Sequence, residues 1–186
     1  LCDTNLGAPL VAKPNTVFDV VKYDGTGATQ TISGLNFSPD LVWGKERTVD
    51  RHWLADRVRG LKTTGYYLLS SNNTEADTSN AAPDGVTAIT STGFTLGANT
   101  SNTDGGWSYE INASGSSYVA WTWNAGGSTV SNPDGSITSQ VRANPTAGFS
   151  VVTYSTGASS GNQTIGHGLN VTPSLIIHKV YSTTSN

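Results

Sequence analysis

Apolar residues in this chain come in short alternating groups, each closed by Gly, Asn, Asp, Ser or Pro. Such alternation has the period of a strand with one face buried, not of a helix. It predicts strands at VFDVVKY (17–23), TQTIS (29–33), LVWGKE (41–46), YYLLS (66–70), VTAIT (86–90) and GFTLG (93–97). The strongest is SSYVAWTWNAGG (116–127), with Val119, Trp121 and Trp123 on one face and Tyr118, Ala120 and Thr122 on the other. Leu41, Trp43 and Lys45 likewise share a face. HWLADRVRG (52–60) reads as a strand into a turn at Gly60, and GSITSQVR (135–142) as a further strand. Asp24, Gly25 and Gly27 make the first two strands a hairpin. Two polar stretches, 71–85 and 98–106, are surface loops of the length that often carries binding. Trp43, Trp121 and Trp123 are expected in the core because they sit in regular strands.

One pattern begins twice. Phe18, Val20, Val21, Tyr23, Gln30, Thr31, Ile32, Gly34, Leu35, Asn36, Pro39, Leu41 and Lys45 are met again as Phe149, Val151, Val152, Tyr154, Gln163, Thr164, Ile165, Gly168, Leu169, Asn170, Pro173, Leu175 and Lys179. The offset is 131 at the first phenylalanine and 134 at the proline, with the extra residues in turns. The matched positions are those that set a backbone and a core. The echo is therefore structural, and its period is too long for a solenoid or propeller repeat. The fold class expected is all-β, as antiparallel sandwich-like modules in tandem. Residues 1–16 read as the end of a preceding module plus a linker, 17–127 as the first module, 128–147 as a linking segment and 148–186 as the start of a second, truncated module.

Composition narrows the functions. The 186 residues carry a formal charge of −3 with only 12% charged side chains, so the basic surface of a nucleic-acid binder is missing. No apolar run approaches a membrane span. The single cysteine, Cys2, can form neither an internal disulfide nor a cysteine pair on zinc. Methionine is absent, which suits part of a longer product.

Candidate chemistry is thin. His52, His167 and His178 show no metal-ligand spacing, and His167 between glycines most simply serves neighbouring backbone groups. Asp77, Asp84, Asp104 and Glu110 lie in or near loops. A glycosidase pair would need two carboxylates roughly 5–10 Å apart across a sugar, and nothing in their spacing marks one. No nucleophile elbow or phosphate loop is present. Catalytic residues, metal and cofactor are all expected to be none. The best binding candidate is DGGWSYEIN (104–112), where Trp107 and Tyr109 share a face beside Asn102 and could stack on a glycan. The competing reading puts both rings in the core, the commoner place for such residues. Arg59, if partly buried, would anchor its turn into the sheet.

The blocks FDVVKYDGTGATQTISGLNFSPDLVWGKER, HWLADRVRG, YLLSSNNTEAD, GFTLG, YVAWTWNAGG and DGSITSQVRANPTAGFSVVTY fall in order over nearly the whole chain. Together they resemble a β-rich module of phage tail-fibre and other virion structural proteins, common in cyanophages. That module is often duplicated behind a SPRY or concanavalin-like sandwich, whose last strand the opening LCDTNLGAP is similar to. The resemblance implies a structural, non-enzymatic role in a virion appendage, at the particle surface, for display or host adsorption. It implies as partners other copies of the chain in a homotrimer, other virion proteins and a host-surface glycan. A carbohydrate-binding or glycan-degrading unit on the same appendage is the alternative. Thr122 stands where that module is expected to have cysteine. Since the second copy lacks counterparts of HWLAD, GFTLG and YVAWTW, the gene is expected to continue past Asn186, and to extend before Leu1 into a sandwich.

Overall fold

The computed structural model of the protein describes residues 11–48, 52–60, 65–72, 85–98, 111–157 and 161–182. Among these described residues eleven strands are formed: β1 (Phe18–Asp24), β2 (Gln30–Ile32), β3 (Leu41–Glu46), β4 (His52–Asp56), β5 (Leu69–Ser70), β6 (Val86–Thr90), β7 (Gly93–Leu96), β8 (Ser117–Trp123), β9 (Val130–Asn132), β10 (Ser139–Asn144) and β11 (Phe149–Thr153). They make three antiparallel sheets, ordered β1-β8-β3-β4-β5, β2-β7-β6 and β11-β10-β9. The chain is all-β and sandwich-like, as the alternation predicts.

The first two sheets enclose the main core. Tyr23, Val42, Trp53, Ala55, Phe94, Leu96, Tyr118 and Ala120 all lie in it. Phe94 of β7 meets Tyr23 of β1 and Trp53 of β4 edge-on, with ring centres 6.3 Å away in both cases. Burying a ring of this size contributes about 2–3 kcal/mol, so Phe94 is a main contributor to holding the two sheets face to face. Trp53 needs space, and Gly44 opposite it on β3 provides it: a β-carbon at Gly44 would stand 2.0 Å from the Trp53 ring.

Two expectations are corrected. The strands around Gly25 are not a hairpin: β1 pairs with β8 and β2 with β7. The chain crosses from one sheet to the other because residues 112–116 hold the turn, Gly25 N donating to Ser116 O (2.8 Å) and Gly27 N to Asn112 O (2.9 Å). The tryptophans Trp43, Trp121 and Trp123 are not in the core either. The inward residues of β8 are Tyr118, Ala120 and Thr122, and those of β3 are Val42, Gly44 and Glu46. The indoles therefore lie half-buried on the outer face, where Val20, Trp121, Trp43 and Leu54 form one cross-strand row. Of YYLLS, only Leu69–Ser70 is strand.

The stretch 128–147 carries β9 and β10, and β10 pairs with β11. β11 is the counterpart of β1. The turn motif of the second copy keeps two features of the first, Leu169 being buried like Leu35 and Gly168 taking a positive φ of 72° like Gly34 at 104°, and then diverges: Asn170 takes a φ of 60°, and Val171 is 63% exposed where Phe37 is 6%.

Candidate functional site

The densest polar construction lies where the first copy meets β10. Asp40 precedes β3 and is 2% exposed. Its backbone continues the sheet on both sides, its N–H donating to Trp123 O (2.8 Å) and its carbonyl accepting from Arg57 N (2.9 Å). Its side chain ties in two more segments. Oδ2 accepts from Ala125 N at 2.8 Å. Oδ1 lies 2.7 Å from Arg142 Nε of β10 and 3.5 Å from Arg57 Nη1. The Arg142 contact is an ion pair rather than a linear hydrogen bond.

Burial pushes the Asp40 carboxyl above its ordinary range. The Arg142 charge, the Ala125 N–H and the Arg57 charge pull it back only in part. Ionising this acid therefore costs folding free energy, and the arginines limit that cost. Stacking reinforces the joint: Trp123 lies over Phe149 at 5.6 Å and 18°. Gly126 lets the linking strand β10 approach the first copy, since a β-carbon there would stand 2.4 Å from Ala143 O.

Two other polar constructions fix the first copy. Asn112, fully buried, accepts from Thr26 N (3.1 Å) and Gln30 Nε2 (2.7 Å), and donates to Ala28 O (2.9 Å) and Gly97 O (2.8 Å). After β4, Asp56 accepts from Val58 N, Arg59 N and Arg59 Nε, the last at 2.6 Å. The Arg59 side chain is 6% exposed and also donates to Leu54 O, so it does anchor its turn. Thr122, at the expected cysteine position, donates its hydroxyl to Asp19 O at 2.9 Å.

A family model described as a domain of unknown function, DUF7483, matches residues 13–186. The chain belongs to the DUF7483 family. Comparison with curated proteins and with solved structures gives no match. The matched span runs through both copies and the joint between them, so this DUF7483 chain presents the Asp40 contact as an internal feature of the family region.

Among the described residues, the three histidines singled out in the sequence each serve a separate place. Trp107, Tyr109 and Asn102 lie outside the described residues, as do Asp77, Asp84, Asp104 and Glu110. His167 accepts from Leu169 N at Nδ1 (3.2 Å), the backbone service its glycine neighbours suggest. His178 stacks on Tyr154 at 6.0 Å. His52 pairs across from Lys45, and burial followed by that charge lowers its pKa. Among the described residues no three His, Cys, Asp or Glu side chains converge as metal ligands, and no helix is long and apolar enough to cross a membrane. Asp40 and Asn112 are what sequence reasoning missed. The only local signal for Asp40 was its place after Pro39 at the head of a strand, and Arg142 is a hundred residues away in sequence.

Proposed function

We propose that the protein is a structural module of a phage virion appendage, used for display or host-surface adsorption and assembled with copies of itself, most simply as a trimer. The observation that carries this reading is the duplicated β module whose first copy is clamped to the linking strand β10 by a buried acid and to the second copy by a stacked pair of rings. A joint of that kind transmits position along a chain of modules and performs no chemistry. The resemblance of six ordered sequence blocks to virion structural modules supports the same reading. The outer face of the five-stranded sheet suits adsorption: Phe18 and Val20 are 38% and 43% exposed beside the half-buried Trp121 and Trp43. Such a face offers flat rings to a glycan or to a neighbouring subunit.

Immunogold labelling of purified phage particles, with antibody raised against the recombinant chain, tests the proposal. Label on tail or capsid fibres is the expected result. Particles that carry no label and no peptide of the chain would overturn it.

A further inference from the structure

The outer face of the five-stranded sheet carries two rows of unlike chemistry. Val20, Trp121, Trp43 and Leu54 lie in register across four strands. The next outward residues along the same strands are Lys22, Val119, Lys45 and His52, again in register. Same-face residues on a strand are about 7 Å apart, so a row of basic side chains runs directly beside the row of rings. Arg47, exposed, follows Lys45 on the same alternation, its N–H donating to Ser117 O at 2.8 Å.

The charges at this margin are not balanced. Among the described residues, Lys22, Lys45 and Arg47 form no ion pair, and Lys45 Nζ donates to Glu46 O at 2.7 Å. The acid beside them, Asp24, accepts from Ser117 Oγ at 2.6 Å. Asp56, at the opposite margin, is held by Arg59. His52 reports the resulting field, since burial and then the Lys45 charge lower its pKa. A chain of net charge −3 therefore gathers Lys22, Lys45 and Arg47 along one side of an aromatic strip.

The rings limit what can lie there. Trp43 is half-buried and its Nε1 is buried without a partner, so the part of the indole that reaches solvent is carbon. Trp121 stands 6.1 Å from it at 58°, so each ring presents its own surface. A peptide laid on this strip would bury its amide groups against carbon, with no bond to replace water. A second copy of the chain would bring further cations, with Asp24 already engaged as the nearby acid. A pyranose has an apolar C–H face that fits a ring and keeps its hydroxyls at the rim, in water. We propose that this face is the docking surface for an acidic polysaccharide, with sugar rings on Trp121 and Trp43 and carboxylates at Lys22 and Lys45. The biological setting rests on the adsorption reading above; the chemistry rests on the two rows.

The probe is an oligogalacturonate of defined length, titrated by calorimetry into the full 186-residue chain, with amide and His52 ring resonances followed in parallel. Saturable binding is expected, with shift changes along 18–22, 41–47 and 117–123. Bound carboxylates favour the imidazolium, so the pKa of His52 should rise on saturation. Lys22→Glu should weaken binding about tenfold and leave the melting temperature unchanged, because Lys22 is exposed. Val20→Asp, at a position 43% exposed, should weaken it as much. The fully methyl-esterified oligomer, with the same sugars and no charge, should bind at least about tenfold more weakly. Absence of saturable binding would overturn the proposal, as would equal binding of the esterified oligomer or of poly-glutamate, which carries the charge without the sugar. Sedimentation that finds a dimer dissociated by Val20→Asp would overturn it too, making the occupant a second copy. Labelled fibres with no binding would refute this surface alone, and binding by a chain absent from the particle would refute the virion location alone.

Discussion

At the scale of single residues, the structure depends on a few polar groups that no periodicity marks. Asn112 satisfies two donors and two carbonyls where the chain crosses between sheets. Asn112→Ala removes all four bonds, the one to Gly97 O fully buried, and should destabilise the protein by about 2–4 kcal/mol in urea denaturation. Asp40 gives a pH-dependent prediction. Its pKa is raised in the folded state, so its contribution to stability is fullest at low pH and declines as pH rises from the ordinary carboxylate range through the raised value. Arg142 favours the ionised form. Arg142→Gln should therefore cost about 2–4 kcal/mol above the raised value, where Asp40 is ionised, and less at acidic pH below it. Paired denaturation curves of the two proteins at each pH check this, and a loss that grew on acidification would contradict the assigned role.

At the scale of elements, the alternation in β3 and β8 was legible in the sequence, because a half-buried strand writes its period directly into residue type. Which face goes inward was not. Tyr118 and Ala120 face the core and Trp121 faces out, although the indole is the more apolar ring, because Phe94 and Trp53 already fill the space between the sheets. Pairing was not legible either. Neighbouring β1 and β2 look like a hairpin until residues 112–116, far along the chain, are seen holding the turn. The candidate site was visible only as an unremarked Pro-Asp pair. Gly44 is the sharpest test at this scale. Gly44→Ala drives a β-carbon into the Trp53 ring, so the expected loss is about 1–3 kcal/mol or more, read as a lower denaturation midpoint. The second copy has His178 at the matching position, and there the side chain lies against Tyr154 instead.

At the scale of the whole molecule, one motif appears twice in different surroundings: Leu41–Glu46 is a central strand, and the matching residues 175–180 lie in no sheet among the described residues. The contact of Asp40 with Arg142 holds the linking strand β10 to the first copy, and the stack of Trp123 on Phe149 holds the second copy to it. Amide hydrogen exchange on the isolated chain compares the two directly, residue against matched residue. Opening a central strand costs much of the global stability, on the order of 5 kcal/mol or more, so exchange there should be slowed by at least about three orders of magnitude. Protection of that size is predicted across Leu41–Glu46, with near-intrinsic exchange across 175–180. Equal protection of the two segments would contradict it.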